Sequence, residues 1–374
     1  MVDSLDIKAT TPLRLLMTTD AVGGVWQYSI DLASELSKRG FTILLASMGP
    51  RPSEVQCDQV SRIPSVQLGV GDFALEWMPS PWKDVDSAAE WLLGLTDEFN
   101  PDLIHLNGYA HAALPWRRPV ITVAHSCVCS WCRAVRDEPA GAEWTEYKRR
   151  VLAGLLASTA VVAPSRSMSE SLRREYALSE TQVRVIHNFG RMLSREPVPK
   201  EPFYLASGRL WDPAKNLSIL EEIAPLLPWP IRLAGSHQDP ENKLRSISSL
   251  VHLGVLPHSE LIKEMQRAAI FVHPALYEPF GLAVLEAASA GCCLVLADIP
   301  SLRELWDGAA LFLNPREAEH WAVELADLAK QTDRRMDFGR AAFERAQNYR
   351  AEKSVQQYVN LYRQIAELGE ETAA

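Results

Sequence analysis

The chain has 374 residues, which is longer than one hydrophobic core usually fills, so we expect two domains of ordinary size. Hydrophobic residues make up 47% of the sequence and charged residues 23%, and no apolar run approaches the roughly 20 residues that a membrane-spanning helix needs. The net charge of −9 argues against nonspecific nucleic-acid binding, because such binding requires a basic surface that displaces counterions from phosphates.

The N-terminal segment MVDSLDIKATTPLRLL has no continuous apolar core before Leu13, so we expect no signal peptide. The six cysteines are then expected to be reduced and the protein to be cytoplasmic. Residues 115–175 hold ten Lys and Arg against six Asp and Glu, so their local net charge is +4. This basic segment fits either a set of solvated helix faces or a weak peripheral contact with a membrane surface or another anionic partner.

Apolar runs of strand length alternate with helical periodicity in the first half of the chain, and this alternation predicts parallel βαβ units. The first helix is predicted within GGVWQYSIDLASELSKRG, where Val25, Leu32 and Leu36 share one face and Gly40 ends the segment. Strands are predicted at residues 13–18, 42–47, 103–106, 120–124, 160–163 and 183–186.

Residues 188–202 have linker composition, with three prolines and no apolar periodicity. We therefore predict one domain over residues 1–195, a second over 196–350, and a closing helix in the tail 351–374. Ligands of such doubly wound sheets bind beyond the carboxyl ends of the strands, so these positions are where functional residues are expected. Strands of the second domain are predicted at residues 203–207, 231–234, 250–253, 270–273, 293–297 and 310–312.

Two loops that follow predicted strands carry groups suited to an anion. In TTDAVGGVWQ, Gly23 and Gly24 allow close approach of a ligand to the backbone at the start of a helix, although a tight structural turn fits equally well. In SGRLWDPAKN, Arg209 and Lys215 flank a turn and either converge on one anionic group or lie in solvent.

The segment FVHPALYEPFGLAVLEAASAG carries the most specific pattern. Glu278 is predicted on a loop after a strand, and Glu286 on the second turn of a helix that begins near Gly281. Because side chains on a helix lean toward its N-terminus, Glu286 can reach the crevice that Glu278 faces. Free N–H groups of Phe280, Gly281 and Leu282 would lie beside these carboxylates. The combination suits a ligand with both phosphate and hydroxyl groups, such as a nucleotide sugar.

The stretch AHSCVCSWC, residues 124–132, allows three interpretations: a metal site, a histidine packed in the core, or a polar histidine at a strand end that faces a ligand. A structural zinc usually takes about four ligands from two separated pairs, and the sequence has no second CxxC. The position of His125 at the end of a predicted strand therefore favours the ligand-facing interpretation.

The GG turn, His125, GRLWDPAKN and EPFGLAVLEAASAG occur in the order found in the retaining glycosyltransferases of family four, which this sequence resembles from Gly23 to Glu286. The resemblance implies the GT-B fold, an α/β architecture in which two Rossmann-like doubly wound domains face each other across a cleft and a C-terminal helix crosses back to the first domain. It further implies transfer of a hexosyl group from a UDP- or GDP-sugar to an acceptor hydroxyl with retention of anomeric configuration.

By this resemblance the C-terminal domain binds the donor and the N-terminal domain binds the acceptor. Arg209 and Lys215 would hold the diphosphate, Glu286 the ribose hydroxyls, Glu278 the sugar hydroxyls, and Leu256, in the loop of residues 253–261, the base. The implied donor site comprises Gly23, Gly24, Arg209, Lys215, Leu256, Glu278, Phe280, Gly281, Leu282 and Glu286. The implied catalytic residues are His125, which would touch the transferred sugar, and Arg209, Lys215 and Glu278.

We expect neither a metal nor a cofactor, because Arg209, Lys215 and two helix N-termini can stabilise a leaving diphosphate themselves. An Asp-x-Asp pattern, which could hold a divalent ion, occurs only at residues 84–86, in a weakly patterned segment. The resemblance favours same-face attack by the acceptor while the diphosphate leaves. Cys127, Cys129 and Cys132 are then expected to be packing or acceptor-loop residues.

Other classes of protein remain open from the sequence alone. They are a nucleotide-sugar epimerase or a phosphorylase on the same fold, a nonenzymatic protein that binds a sugar nucleotide or a glycan, and a redox or metal protein built on the cysteines. For the transferase, the expected partners are a nucleotide sugar and a carbohydrate, lipid-linked or small-molecule hydroxyl acceptor, and no nucleic acid.

Overall fold

The computed structural model describes residues 13–190, 192–193, 198–237 and 248–373. Two parallel sheets form, one on each side of the predicted linker. Most of their strands are nearly continuous apolar runs, such as VITV, AVVA and CLVLA, as expected when helices cover both faces of a sheet. The predicted boundary between residues 195 and 196 lies outside the described residues.

The first sheet has seven strands in the order β3-β2-β1-β4-β5-β6-β7, and every described pairing is parallel. The chain reverses its winding direction between β1 and β4, which opens a crevice at their carboxyl ends. The strands are β1 Arg14–Asp20, β2 Thr42–Met48, β3 Val66–Val70, β4 Leu103–Leu106, β5 Val120–Val123, β6 Ala160–Ala163 and β7 Val183–Val185.

The second sheet has six strands in the order β10-β9-β8-β11-β12-β13, again with every described pairing parallel. Its winding direction reverses between β8 and β11, so a second crevice opens beyond these two strands. The strands are β8 Glu201–Ser207, β9 Ile231–Ala234, β10 Val251–Gly254, β11 Ala268–His273, β12 Cys293–Ala297 and β13 Leu311–Leu313.

Helices cover both sheets. Those around the first sheet are α1 Gly24–Ser37, α2 Glu54–Ser61, α3 Trp82–Phe99, α4 Val128–Arg136, α5 Thr145–Ala157 and α6 Arg166–Tyr176. Those that follow are α7 Ser218–Ile223, α8 His258–Arg267, α9 Leu282–Ser289, α10 Pro300–Trp306, α11 Ala318–Lys330, α12 Thr332–Ala346 and α13 Ala351–Ala373. Short 3-10 turns lie at Ala110–Ala113, Ala142–Trp144, Glu180–Gln182, Pro213–Lys215, Ala224–Leu226 and Gln347–Tyr349. No helix in the described ranges is both long enough and apolar enough to cross a membrane.

The last helix packs against the first sheet although it follows the second sheet in sequence. Its buried side chains recur every three or four residues and join a core that contains Leu15, Leu36 and Ile43. The two chain connections between the domains run side by side, because Gly190 forms a parallel bridge with Arg350. The side chains of α13 in this core are Val355, Tyr358, Val359, Leu361, Tyr362 and Ile365.

Candidate active site

The turn after β1 faces the second domain. Asp20 Oδ1 accepts a hydrogen bond at 2.9 Å from the backbone N–H two residues on. Burial raises the pKa of Asp20, an effect that this hydrogen bond and the nearby Arg209 guanidinium partly offset. A Cβ atom on Gly23 would lie 3.0 Å from Arg209 Nη1, and one on Gly24 would lie 3.7 Å from Leu282 Cδ1. The predicted glycine turn therefore lies across the cleft from predicted donor residues.

Arg209 lies just beyond the carboxyl end of β8. Its Nη2 donates to Asp212 Oδ2 at 2.7 Å, and its guanidinium carbon lies 5.0 Å from the centre of the Trp211 ring. Asp212 also caps the following turn by accepting the Ala214 N–H at 3.0 Å. The Nε atom of Arg209 is buried and has no hydrogen-bond partner within the described residues. A ligand anion could satisfy this donor, since buried donors are seldom left unpaired.

Glu278 has two charged or polar side-chain partners within the site. Its Oε2 accepts hydrogen bonds from Lys215 Nζ at 2.6 Å and from His273 Nε2 at 3.1 Å. Burial alone would raise the pKa of Glu278, but the Lys215 charge and the His273 hydrogen bond outweigh it and hold the pKa well below the ordinary value. These contacts join the carboxyl end of β11 to the turn after β8, so the predicted cation and carboxylate lie together.

The N-terminus of α9 lies beside this ion pair. Gly281 caps the helix at a φ of +86°, in the left-handed region that favours glycine. A Cβ atom there would lie 3.2 Å from Val284 Cγ2 and 3.3 Å from Glu278 Cγ. Within the described part of the chain, the N–H groups of Phe280, Gly281 and Leu282 donate no hydrogen bond. Free amides and the positive end of a helix dipole therefore adjoin Glu278.

Glu286 projects from the second turn of α9 toward a different partner. Its Oε1 lies 2.7 Å from His258 Nε2, at the start of α8. The loop that precedes His258 contains Leu256, which is half-buried. The two predicted carboxylates thus lie on the same helix end but have different partners: Glu278 pairs with Lys215, and Glu286 contacts the segment predicted to hold the base.

His125 lies two residues after β5, on the first domain. Its Nε2 is 2.8 Å from Asn107 Oδ1, and the Tyr28 ring packs edge-on with a centroid distance of 4.4 Å. Burial lowers the pKa of His125 to about 3, and the neighbouring His105 adds to this effect. The imidazole is therefore neutral near pH 7, which suits it to hydrogen bonding rather than to carrying charge.

The three cysteines near His125 are buried in the first domain. Cys127 Sγ lies 3.4 Å from the Tyr176 hydroxyl, and the Cys127 N–H donates to the Tyr277 hydroxyl of the second domain at 3.1 Å. Cys129 belongs to the same cluster of buried residues. The described residues contain no group of three or more His, Cys, Asp or Glu side chains that could hold a metal ion.

Several charges of the basic segment 115–175 are paired. Arg133 Nε lies 2.7 Å from Glu175 Oε1, and Arg150 Nε lies 2.7 Å from Glu146 Oε1. Arg150 also pairs with Asp86, one of the two carboxylates of the Asp-x-Asp pattern, at 2.5 Å. That pattern lies on α3, where Asp86 is engaged in an ion pair with α5.

Three polar side chains of the site were not singled out from the sequence: Asn107, His258 and His273. Asn107 directly follows β4 and His273 ends β11, so a search for polar residues at every strand end would have found both. His258 opens a helix, and nothing in its local sequence indicates that it meets Glu286, which lies 28 residues away.

The fold and the cleft define the class of protein. Two doubly wound parallel sheets face each other. The cations Arg209 and Lys215, the Glu278 carboxylate and the free N-terminus of α9 lie between them. This is the arrangement of a GT-B glycosyltransferase. A family model described as "Glycosyltransferase Family 4" matches residues 22–189, and one described as "Glycosyl transferases group 1" matches residues 194–345. The chain belongs to glycosyltransferase family 4 and is a glycosyltransferase.

Individual proteins agree with this assignment. A glycogen synthase from Mycobacterium tuberculosis is 24% identical over 339 residues, a match that covers 78% of this chain and 80% of the relative. The sucrose-phosphate synthase structure from Thermosynechococcus elongatus superposes with a TM-score of 0.76 at 18% identity, covering 94% of this chain and 98% of that one. HepE from Anabaena, solved with UDP and glucose, has a TM-score of 0.72 at 15% identity, and the match covers 94% of this chain and 100% of that one. The prediction of family and fold is confirmed, and the epimerase, phosphorylase, binding-protein and cysteine-based alternatives are not favoured.

Proposed function

We propose that this enzyme transfers a hexosyl group from a UDP- or GDP-sugar to an acceptor hydroxyl, with retention of anomeric configuration and without a metal ion. The observation that carries the proposal is the grouping of Arg209, Lys215 and the free N-terminus of α9 around Glu278, at the reversal between β8 and β11. The similarity in fold to HepE, which was solved with UDP and glucose, supports a nucleotide-sugar donor.

Each donor group has a proposed partner. The diphosphate binds Arg209 and Lys215, and the sugar hydroxyls bind Glu278 and the amides that follow it. The ribose hydroxyls bind Glu286, which requires that His258 give up or share its hydrogen bond to that carboxylate. The base lies against the backbone near Leu256. Gly23 and Gly24 close the cleft over the diphosphate, since a side chain at residue 23 would meet Arg209.

Fixed positive charge promotes departure of the leaving group. Negative charge accumulates on the diphosphate as the glycosidic bond breaks, and preorganised donors stabilise that charge without rearranging. One well-aimed donor contributes about 3 kcal/mol, or roughly a hundredfold in rate. Arg209, Lys215 and the amide groups at the starts of α1 and α9 supply such donors, so no divalent ion is needed.

The acceptor attacks from the same face that the diphosphate leaves. A phosphate oxygen of the leaving group accepts the proton of the acceptor hydroxyl, and His125 binds the transferred sugar as a neutral hydrogen-bonding group. The acceptor is a carbohydrate, lipid-linked or small-molecule hydroxyl compound held by the first domain. The exposed basic side chains of segment 115–175 are available for a weak membrane contact if the acceptor is lipid-linked.

The stereochemistry of the product tests this mechanism. With an α-configured donor, proton NMR of the purified product is expected to show an α-linkage, and turnover is expected to be unchanged by EDTA. A β-linked product would contradict same-face attack. Loss of turnover in EDTA that Mn²⁺ restores would contradict metal independence.

A further inference from the structure

A buried chain of hydrogen bonds links the last helix to His125. The Tyr362 hydroxyl on α13 lies 2.7 Å from His105 Nδ1 on β4. His105 Nε2 lies 3.1 Å from Asn107 Oδ1, and the same oxygen lies 2.8 Å from His125 Nε2. His105 and Tyr362 are fully buried. The contact between Tyr362 and His105 joins residues 257 positions apart in sequence.

The donor and acceptor of each hydrogen bond in this series can be assigned by starting from Asn107, whose amide orientation is fixed. Asn107 Nδ2 lies 2.6 Å from the Thr18 backbone oxygen, which can only accept, so the amide group is oriented with Oδ1 toward the two histidines. An amide oxygen also only accepts, so His105 and His125 must both donate through Nε2–H. Burial lowers the pKa of His105 to about 4, so its ring is neutral and its Nδ1 is an acceptor. The Tyr362 hydroxyl therefore donates to it.

This assignment leaves Nδ1 of His125 unprotonated. His125 is half-buried beside the cleft, and its Nδ1 has no hydrogen-bond partner within the described residues. An unprotonated Nδ1 can accept a hydrogen bond from a hydroxyl of the transferred sugar, whereas the opposite tautomer would present a donor there. The tautomer of His125 thus decides which group it offers to the substrate.

We propose that Tyr362 is a positioning residue that fixes the tautomer and orientation of His125 through His105 and Asn107. Without the Tyr362 hydroxyl, His105 Nδ1 would be an unpaired acceptor in a dry core. The His105 ring would then be free to change tautomer or rotate. Asn107 Oδ1 would lose the Nε2–H donor at 3.1 Å or face a lone pair there, which opposes the amide orientation that the Thr18 oxygen favours. The proposal rests on the proposed role of His125 in transfer.

Ring packing supports a specific role for this face of α13. The Tyr362 and Tyr358 rings lie 6.0 Å and 5.8 Å from His105, and Tyr358 lies 6.3 Å from Tyr28, whose ring packs on His125. The α13 helix therefore packs its tyrosine rings against the histidine that it hydrogen-bonds, His105, and reaches His125 through the Tyr28 ring. Docking of α13 is thereby coupled to the geometry at the end of β5.

The test is Tyr362→Phe, which removes the hydroxyl and keeps the ring. A matched control is Tyr204→Phe, since the Tyr204 hydroxyl makes an equally buried 2.8 Å hydrogen bond, to the Leu325 oxygen in the other domain. The side-chain nitrogens of ¹⁵N-histidine-labelled protein report each tautomer by NMR, and a His125→Gln spectrum assigns the His125 signals. Thermal unfolding of both variants shows whether their stabilities are comparable.

In Tyr362→Phe we expect the single Nε2–H tautomer of His125 to give way to a mixture. We also expect kcat to fall about tenfold, a change of the size of one lost hydrogen bond, with donor Kd unchanged. Tyr204→Phe is expected to retain the wild-type His125 spectrum and kcat. An unchanged His125 tautomer in Tyr362→Phe would overturn the proposal. The NMR measurement needs no substrate, so it remains decisive even if the proposed transferase reaction fails.

Discussion

Glu278 and Lys215 show how the site holds its charges before a donor arrives. Their side chains are 13% and 21% exposed, so each neutralises the other in a largely desolvated place. The folded-state pKa of Glu278 lies below its unfolded value of about 4.3. The stabilising contribution of the carboxylate is therefore present at neutral pH and lost as the pH falls below about 4. Residue types and strand ends predicted both groups, but the pairing depends on two separate loops meeting.

Replacing one partner of this ion pair should lower the free energy of unfolding more than replacing both. We expect Lys215→Met to lower the free energy of unfolding by about 3 kcal/mol, because it leaves a buried carboxylate without its counterion. Adding Glu278→Gln should restore most of that loss, while donor binding stays impaired. Urea unfolding of the single and double variants measures the coupling.

An exposed ion pair provides the control for this set of single and double variants. Lys263 pairs with Glu260 at 2.8 Å, with side chains that are 64% and 49% exposed. Lys263→Met should therefore change stability by less than about 0.5 kcal/mol. If Lys215→Met were as mild as this control, the carboxylate would not depend on Lys215 and our description of the pair would be wrong.

Strands and helices could be predicted where a single pattern of apolar residues dominated the local sequence. Strands β4, β6, β9 and β12 agree with the predicted ranges at both ends, because each is a short, mostly apolar and mostly buried run between loops. The strand β3 was missed, since VQLGV is half-exposed at the edge of its sheet and contains Gly69. The helix α13, Ala351–Ala373, lies within the predicted tail 351–374.

The cap of α9 should be sensitive to an added methyl group. In Gly281→Ala we expect a loss of about 1 kcal/mol of stability from the left-handed backbone. A further loss, with weaker donor binding, is expected because the new Cβ would press on Val284 and Glu278 at 3.2 Å and 3.3 Å. Calorimetric unfolding and donor titration measure the two effects.

Gly40 is a matched position for this experiment. It has the same φ of +86°, but a Cβ there would meet nothing within 4 Å. Gly40→Ala should therefore show the backbone cost alone and unchanged donor binding. If the two substitutions changed stability and donor binding equally, the contact of the new Cβ with Glu278 would contribute to neither.

The two domains meet through a cleft that neither could form alone. Ser165 donates to the Pro279 oxygen at 2.7 Å, and Glu304 accepts the N–H groups of Arg166 and Ser167, both at 2.9 Å. The alternation of strands and helices predicted two sheets, and the family resemblance supplied their arrangement and the crossing of α13. Contacts such as that of Tyr362 with His105 could not be predicted, because no local pattern relates residues so far apart in sequence.

Calorimetric titration of a panel of uridine and guanosine diphosphate sugars into the wild-type protein addresses the proposed donor site directly. We expect at least one of them to bind, and we expect Arg209→Ala and Lys215→Ala to weaken that binding at least about tenfold, since each removes a charge-assisted contact to the diphosphate. Lys263→Ala should bind as the wild type does. Failure of every nucleotide sugar to bind would contradict a donor site at the reversal between β8 and β11. So would Arg209→Ala and Lys215→Ala variants that bind the donor as tightly as the wild type does.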